Sequence, residues 1–202
     1  MRFSLEKRDN RSKKMTILVP IVSLLVSFIL GAIVLSISNA NPARTYAAML
    51  KGAFGSQTKI QYTIAKSIPL LLCGLAVGIA FRLKFWNIGA EGQYISGVIG
   101  ITWVMQFWTF LPTYLLLPVG MVVGILFGAM WGGIPGVLKA QWSVDETLTT
   151  LMMNYIIIGY AEYLYINAWK APRGNMGTVL YHEAAWLPRI WGRVHAGVYF
   201  AL

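Results

Sequence analysis

The sequence predicts an all-α, polytopic helical membrane protein with about five transmembrane helices and the start of a sixth. Of its 202 residues, 57% are hydrophobic and only 12% are charged, a balance outside the range of ordinary soluble domains. The apolar residues are gathered into runs long enough to cross a bilayer as helices. Between two of these runs, the polar segment Phe85–Gln93 predicts a discontinuous helix near residues 85–93. Polar groups and glycines at membrane depth are typical of broken helices that line a pathway.

Five apolar runs are predicted to span the membrane, at residues 15–38, 63–81, 88–107, 114–137 and 144–168. The first follows a basic segment, residues 1–14, which holds six of the 17 Lys and Arg residues. A basic segment ahead of a span predicts a cytoplasmic N-terminus, in a multi-pass protein of the cell (inner) membrane. A cleaved signal peptide is the alternative, because Ser38-Asn39-Ala40 resembles a small-x-small cleavage site. The apolar run is, however, longer than the about 7–15 residues of such peptides.

The loops follow from this orientation, which places nine Lys and Arg residues inside and eight outside. The bias near the first span and in the short loops decides the orientation, because long loops count less. Residues 39–59 are predicted to be external and to carry a short amphipathic helix near 46–53. Residues 169–195 are predicted to form a long extracytoplasmic loop. Residues 196–202 form an apolar run that is too short to span, and we expect them to be the start of a truncated span.

The polar segment supplies four candidate residues for a substrate pathway or gate: Asn87, Gly89, Glu91 and Gln93. Asn87 is a good N-cap, and Glu91 would lie in the first helical turn, where a negative charge suits the helix dipole. The glycines allow a backbone or a ligand to approach closely. The alternative is a capped helix start at the membrane edge, with Glu91 paired to Arg82 or Lys84.

A ladder of glycines recurs every four residues through the fourth predicted span, at Gly120, Gly124, Gly128, Gly132 and Gly136. Residues four apart share one helix face, so the ladder predicts a smooth groove for helix packing. A sliding seam used in gating is the functional alternative.

The fifth predicted span begins with Ser143-Val144-Asp145-Glu146, a capping-box pattern in which Ser143 caps the helix and Glu146 reaches back. A stripe of polar and small residues follows on one face: Thr147, Thr150, Asn154 and Ala161. Asn154 lies near mid-span, where its amide needs a partner. It is a fifth candidate for the pathway, and an interhelical hydrogen bond is the alternative.

The sequence lacks the motifs of an enzyme. There is no G-x-x-x-x-G-K-[ST] phosphate loop, His182-Glu183 lacks the second histidine of a zinc-protease helix, and no nucleophile elbow occurs. Cys73 is the only cysteine and lies in an apolar run, so neither a disulfide framework nor a metal site is predicted. No nucleic-acid recognition module accompanies the net charge of +10.

Several segments together resemble a known family, the permease subunits of bacterial ATP-binding-cassette importers of the ribose/branched-chain amino acid class. Within it they are most similar to the nucleoside and simple-sugar branch. The segments are Ile68–Val77, Ala80–Arg82, Trp86–Gln93, Gly132–Ala140 and Asp145–Ile156. Trp86 stands where such permeases more usually have Phe.

The resemblance implies a transport subunit that is not itself an enzyme and holds no cofactor. ATP would be used by a separate cytoplasmic ATP-binding subunit. The other implied partners are a second permease subunit, an extracytoplasmic substrate-binding protein and membrane lipids, with no nucleic acid. The implied cargo is a nucleoside or a simple sugar. The downstream loop that couples such permeases to their ATPase is not within these 202 residues, so we expect this segment alone not to transport.

Two questions stay open. A secondary transporter or channel for a small polar solute is the alternative function, because a broken helix also suits such proteins. The aromatic and Arg residues of the external loop either dock the substrate-binding protein or anchor the membrane interface. They are Trp169, Tyr181, Trp186 and Trp191 with Arg173, Arg189 and Arg193.

Overall fold

The structure, a computed structural model, describes residues 13–108, 110–170 and 186–200. Six α-helices make up most of this part of the chain. They are α1 (Lys13–Ile37), α2 (Pro42–Phe54), α3 (Gln57–Arg82), α4 (Ala90–Phe107), α5 (Thr113–Trp142) and α6 (Glu146–Tyr163). The predicted all-α fold is confirmed.

The chain is a polytopic membrane protein. Three of its helices are long and apolar enough to cross a membrane: α1 from Lys14 onwards, α3 and α5. Helices α4 and α6 have 18 residues each and lie within the third and fifth predicted spans. The count of five spans stays a prediction. The predicted break near residues 85–93 occupies Leu83–Gly89, as a non-helical connection between α3 and α4.

The structure divides into two compact units, residues 1–60 and 61–202. In the first unit, α1 and α2 form a helical pair joined by a short turn. Asn41 caps α2 by accepting the Arg44 N–H at 3.1 Å, and Pro42 takes the first helical position, where its missing N–H is not needed. The Tyr46 hydroxyl donates to the Phe28 carbonyl at 2.7 Å. The amphipathic helix predicted near residues 46–53 lies within α2.

In the second unit, α4 packs against both α5 and α6. The contact between α4 and α5 is close because glycines face it. A Cβ built on Gly124 would lie 2.6 Å from Ile101 Cγ1, and one built on Gly100 would lie 2.8 Å from the Phe127 ring. On the α6 side, a buried apolar cluster closes the packing: Ile99, Ile157, Ala161 and Leu164.

Within the predicted glycine ladder, four members meet α4. Added Cβ atoms on Gly120, Gly124, Gly128 and Gly132 would lie 2.6–3.2 Å from atoms of that helix. Gly136 differs, because nothing lies within 4 Å of its built Cβ. The close packing therefore ends one turn before the last glycine of the ladder.

After α6, the helix continues as one π-helical turn, Leu164–Ala168. Strands β1 (Arg189–Trp191) and β2 (Val194–His195) then form an antiparallel pair, followed by a 3₁₀ helix, Ala196–Phe200. Most of the predicted external loop, including Arg173 and Tyr181, lies outside the described residues. Whether residues 196–202 begin a span stays a prediction.

Candidate functional site

The connection between α3 and α4 begins with an unusual helix end. The Phe85 N–H donates to the Ala80 carbonyl and the Lys84 N–H to the Phe81 carbonyl, both at 3.0 Å. This pair of bonds is the Schellman arrangement, which requires one residue in the left-handed conformation. Here that residue is Lys84, with φ of 56°, although Gly or Asn is the usual choice. The chain therefore turns sharply at the end of α3. The N–H groups of the connection are no longer used in the hydrogen bonds of that helix.

Helix α6 supplies the acceptors for these N–H groups. The Trp86 N–H donates to Glu146 Oε1 at 3.3 Å, and the Ile88 N–H donates to Thr150 Oγ1 at 3.2 Å. The Gly92 N–H, in the first turn of α4, donates to Asn154 Oδ1. The three acceptors are spaced four residues apart and so lie on one face of α6. Backbone donors that leave a helix need other partners, and this ladder of side chains on α6 supplies them for all three N–H groups.

The side chains of Asn87 and Gln93 bond to each other at the connection. Their side-chain amides are joined by two hydrogen bonds of 3.1 Å, from Asn87 Nδ2 to Gln93 Oε1 and from Gln93 Nε2 to Asn87 Oδ1. Asn87 Oδ1 also accepts the Gly89 N–H at 3.0 Å. The prediction that Asn87 is the N-cap was wrong. Helix α4 starts two residues later, with Gly89 at the N-cap, because Asn87 uses its side chain in a local turn.

The glycines of the segment allow α6 to lie close. A Cβ on Gly89 would lie 2.8 Å from the Thr150 carbonyl oxygen, and one on Gly92 would lie 2.6 Å from Asn154 Oδ1. Any side chain at either position would push α6 away from the backbone donors. The sequence suggested close approach at these glycines, but it did not show which partner approaches.

An ion pair joins the ends of α5 and α6 at the same place. Lys139 Nζ contacts Glu146 Oε1, lies 3.5 Å from the Lys84 carbonyl oxygen and sits 5.3 Å from the centre of the Phe85 ring. The Glu146 side chain is 11% exposed, against 38% for Lys139. Glu146 therefore contacts both α5 and the connection, and the sequence analysis did not name it among the candidate pathway residues.

The predicted capping box at the start of α6 was wrong. The N-cap is Asp145, whose side chain accepts the Leu148 N–H at 2.9 Å. Ser143 instead ends α5 in the left-handed conformation, with φ of 53°. Glu146 does not reach back to a cap, because its carboxylate is engaged by Lys139 and Trp86. The pattern contained two residues that could cap α6, Ser143 and Asp145. Because Ser143 lies in the tight turn that ends α5, Asp145 is the N-cap.

Four of the five candidate pathway residues therefore take part in the two sets of hydrogen bonds at the connection, which together we call the network. Asn87, Gly89 and Gln93 belong to the set around the amide pair, and Asn154 belongs to the ladder on α6. Glu91 lies in the first turn of α4, as expected from its position. Its side chain is exposed, and among the described residues it forms no ion pair with Arg82 or Lys84. It points away from the network formed with α6.

The described residues contain no group of three or more His, Cys, Asp or Glu side chains that could hold a metal ion. The network consists of amides, one hydroxyl, one ion pair and backbone donors. Such a set is suited to joining helices reversibly and to contacting a polar solute, because its hydrogen bonds can be exchanged for bonds to water or ligand.

The sequence is similar to those of several known proteins. The Guanosine ABC transporter permease protein NupP of Bacillus subtilis is 34% identical over 193 residues, which cover 92% of this chain and 55% of that protein. The Nucleoside ABC transporter permease protein NupB of Lactococcus lactis subsp. cremoris is 33% identical over 156 residues, covering 77% of this chain and 42% of NupB. The Glucose ABC transporter permease protein TsgB13 of Haloferax volcanii is 32% identical over 179 residues, covering 88% of this chain and 47% of TsgB13.

The chain thus spans about half the length of the curated relatives that it matches. No solved structure gives a significant match. Residues 59–186, which include the whole α6 ladder and the connection that it holds, match the family described as "Branched-chain amino acid transport system / permease component". This chain belongs to that permease family.

Proposed function

We propose that the chain is part of the membrane permease subunit of an ATP-driven, binding-protein-dependent importer for nucleosides or simple sugars. The family and the names of the relatives support this transport role. The structural observation that carries it is the ladder of Glu146, Thr150 and Asn154, which pairs the backbone donors of a helix break. A break held by exchangeable side-chain bonds is a joint at which two helices can separate and rejoin.

The joint is proposed to act as a gate on the substrate pathway. Movement of α6 away from α4 would release the N–H groups of Trp86, Ile88 and Gly92 together, because all three bond to one face of α6. Asn87, Gly89, Gln93 and Asn154 would then face the opened space, where their polar groups can meet water or solute. Glu91, which is exposed on this chain, would face the second permease subunit or the cavity between subunits.

The proposed surroundings follow from the charges. Arg82, Lys84 and Lys139 lie at the end of the helices that carries the joint, and this end is proposed to be cytoplasmic, together with the N-terminus. A separate ATP-binding subunit would work from that side and would use the ATP. A second permease subunit and membrane lipids would cover the exposed apolar helix faces. A substrate-binding protein would dock at the opposite, extracytoplasmic end.

A secondary transporter or channel remains the alternative, since a broken helix alone does not require an ATPase. The names of the relatives favour the ATP-driven class. The two classes differ in what drives uptake, and that difference can be measured.

The test uses the full-length protein, expressed with its neighbouring transport genes in a strain that lacks nucleoside uptake. Uptake of labelled guanosine and labelled glucose is measured with the intact ATP-binding subunit and with one whose phosphate-loop lysine is replaced. We expect accumulation of at least one solute with the intact subunit and its loss with the replaced one. Accumulation that persists without ATP hydrolysis would favour the secondary transporter, and accumulation of neither solute would reject the proposal.

A further inference from the structure

A cavity of about 730 Å³ lies in the second unit, at the other end of the helices from the Glu146 ladder. Apolar side chains of α4 and α5 form one wall: Ile101, Met105, Leu117 and Met121. Residues of α3 and of the β1–β2 hairpin form the other. The volume falls within the about 300–1,000 Å³ of small-molecule sites, which are mostly apolar with a few placed polar groups.

The hairpin is held in position at this cavity by α3. The Arg193 N–H donates to Gln61 Oε1 at 3.3 Å. Gly192 has φ of +55°, and a Cβ there would lie 2.3 Å from Gln61 Oε1. Only glycine therefore fits the turn at this distance from α3. The contact with Gln61 therefore fixes the position of the side chains that follow the turn.

Two arginines of the hairpin form cation–π contacts with aromatic rings of the lining. The Arg193 guanidinium lies 4.4 Å from the centre of the Tyr62 ring, and the Arg189 guanidinium lies 5.4 Å from that of Trp186. Within the described part of the chain, neither forms an ion pair with a carboxylate. A contact with a ring does not use the N–H donors of a guanidinium in an ion pair, so they can bind a ligand.

His195 adds a third donor to the lining. Its Nδ1 accepts the Gly197 N–H at 3.3 Å, so the neutral ring carries its proton on Nε2. No carboxylate and no carboxamide is among the described residues that line the cavity. Among the described lining residues, side-chain donors therefore outnumber acceptors, and the Tyr62 hydroxyl can accept as well as donate.

The combination of an apolar wall and two guanidinium groups favours one of the two solute classes of the proposed function, on which the inference rests. A hexose carries hydroxyl groups around its whole ring, and those turned toward the apolar wall would leave water without gaining a hydrogen-bond partner. A 6-oxopurine presents two adjacent acceptors, O6 and N7, which match an arginine fork, and two apolar ring faces. We propose that the cavity binds the base of a 6-oxopurine nucleoside, with its O6/N7 edge on Arg193 or Arg189 and its faces against the methionine wall.

The test measures equilibrium binding to the complete full-length transporter complex in nanodiscs, without the substrate-binding protein. The probes are guanosine, 7-deazaguanosine, which lacks the N7 acceptor, and glucose. We expect the wild type to bind 7-deazaguanosine about tenfold more weakly than guanosine, because one bidentate contact is lost. Excess glucose should not compete.

The variants Arg193→Gln, Arg193→Lys and Arg189→Gln identify the arginine that reads the base. At least one Gln variant should bind guanosine and 7-deazaguanosine equally, and Arg193→Lys should show whether the fork or the charge matters. Arg44→Gln, an exposed arginine of α2, is the matched control and should keep the wild-type discrimination. Melting temperatures show whether each variant is folded. If Arg193→Gln is not folded, Arg193→Lys is used in its place.

Three results would overturn the inference: no binding of guanosine to the wild-type complex, equal binding of the two nucleosides by the wild type, or wild-type discrimination in all arginine variants. Competition by glucose as strong as that by guanosine would also overturn it. In each case, ATP-driven nucleoside uptake by the same complex would leave the proposed function standing. Failure of uptake for every solute would instead reject the proposed function itself.

Discussion

Thr150 Oγ1 accepts the Ile88 N–H at 3.2 Å while it donates to the Glu146 carbonyl of its own helix at 2.7 Å. A threonine at this position therefore links the internal bonding of α6 to the backbone of the connection between α3 and α4. Its side chain is almost fully buried, with 1% of its surface exposed. Loss of this hydroxyl would remove the acceptor of the Ile88 N–H, which leads to the first prediction.

Thr150→Val should destabilise the protein by about 0.5–1.5 kcal/mol, because the isosteric change removes the acceptor of the partly buried Ile88 N–H. Thr149→Val is the matched control. Thr149 Oγ1 also donates to the carbonyl four residues earlier, that of Asp145, but it does not bond to the connection. Thermal unfolding of the purified complex should separate the two variants. Equal melting temperatures would contradict the role given to Thr150.

Glu146→Leu should destabilise the protein more than Glu146→Gln. The glutamine keeps an acceptor for the Trp86 N–H and loses only the ion pair with Lys139, which at 38% exposure of the lysine contributes about 0–1 kcal/mol. The leucine leaves the Trp86 N–H without its acceptor and leaves Lys139 with only the Lys84 carbonyl. Glu162→Gln, an exposed position of α6, is the control. If Gln and Leu at position 146 had the same effect in a denaturation experiment, the hydrogen bond to the Trp86 N–H would not contribute to stability.

Gly128→Leu should reduce assembly of the protein, because a Cβ there already lies 3.2 Å from the Gln93 carbonyl oxygen and a larger side chain would separate α4 from α5. Gly136→Leu belongs to the same ladder but meets nothing within 4 Å. It should leave the amount of folded protein in the membrane near the wild-type value. Normal assembly and transport by the Gly128 variant would disprove the packing role of this face.

Glu91→Ala should lower solute uptake more than it lowers protein level. Glu91 is exposed on this chain and lies at the helix N-terminus, where a carboxylate contributes only about 0.3–1 kcal/mol to helix stability. A large loss of uptake would therefore report on transport rather than on folding. Immunoblots and uptake measured on the same cells, with Glu162→Ala as control, check this prediction. A parallel fall of both quantities would assign Glu91 a structural role only.

The sequence predicted the helices well, because long apolar runs and their charged ends are local signals. It also singled out Asn87, Gly89, Gln93 and Asn154, whose role in a substrate pathway or gate stays a prediction. It did not predict where the helices end. Lys84 and Ser143 adopt left-handed conformations that their residue types do not favour, and tertiary contacts rather than local preference impose them.

The hydrogen-bond partners within the site also could not be predicted from local sequence patterns. The bonds from Trp86 to Glu146 and from Ile88 to Thr150 join residues about 60 positions apart, and no spacing rule connects them. The role of Glu146 was hidden by a capping pattern that fitted the same four residues. A stripe of polar and small residues on one face of α6 was visible in the sequence, but the partners of Thr150 and Asn154 are backbone groups, which carry no sequence signal.

The central claim is that the contacts between α6 and the helix break act in transport and not only in folding. The most direct measurement compares ATP-driven nucleoside uptake, divided by the amount of folded complex in the same proteoliposomes, between the wild type and Asn154→Leu. The change removes the acceptor of the Gly92 N–H. We predict that uptake per folded complex falls about tenfold or more, because the joint no longer closes in its native geometry. Uptake per folded complex equal to that of the wild type would contradict the claim and leave the network a structural role alone.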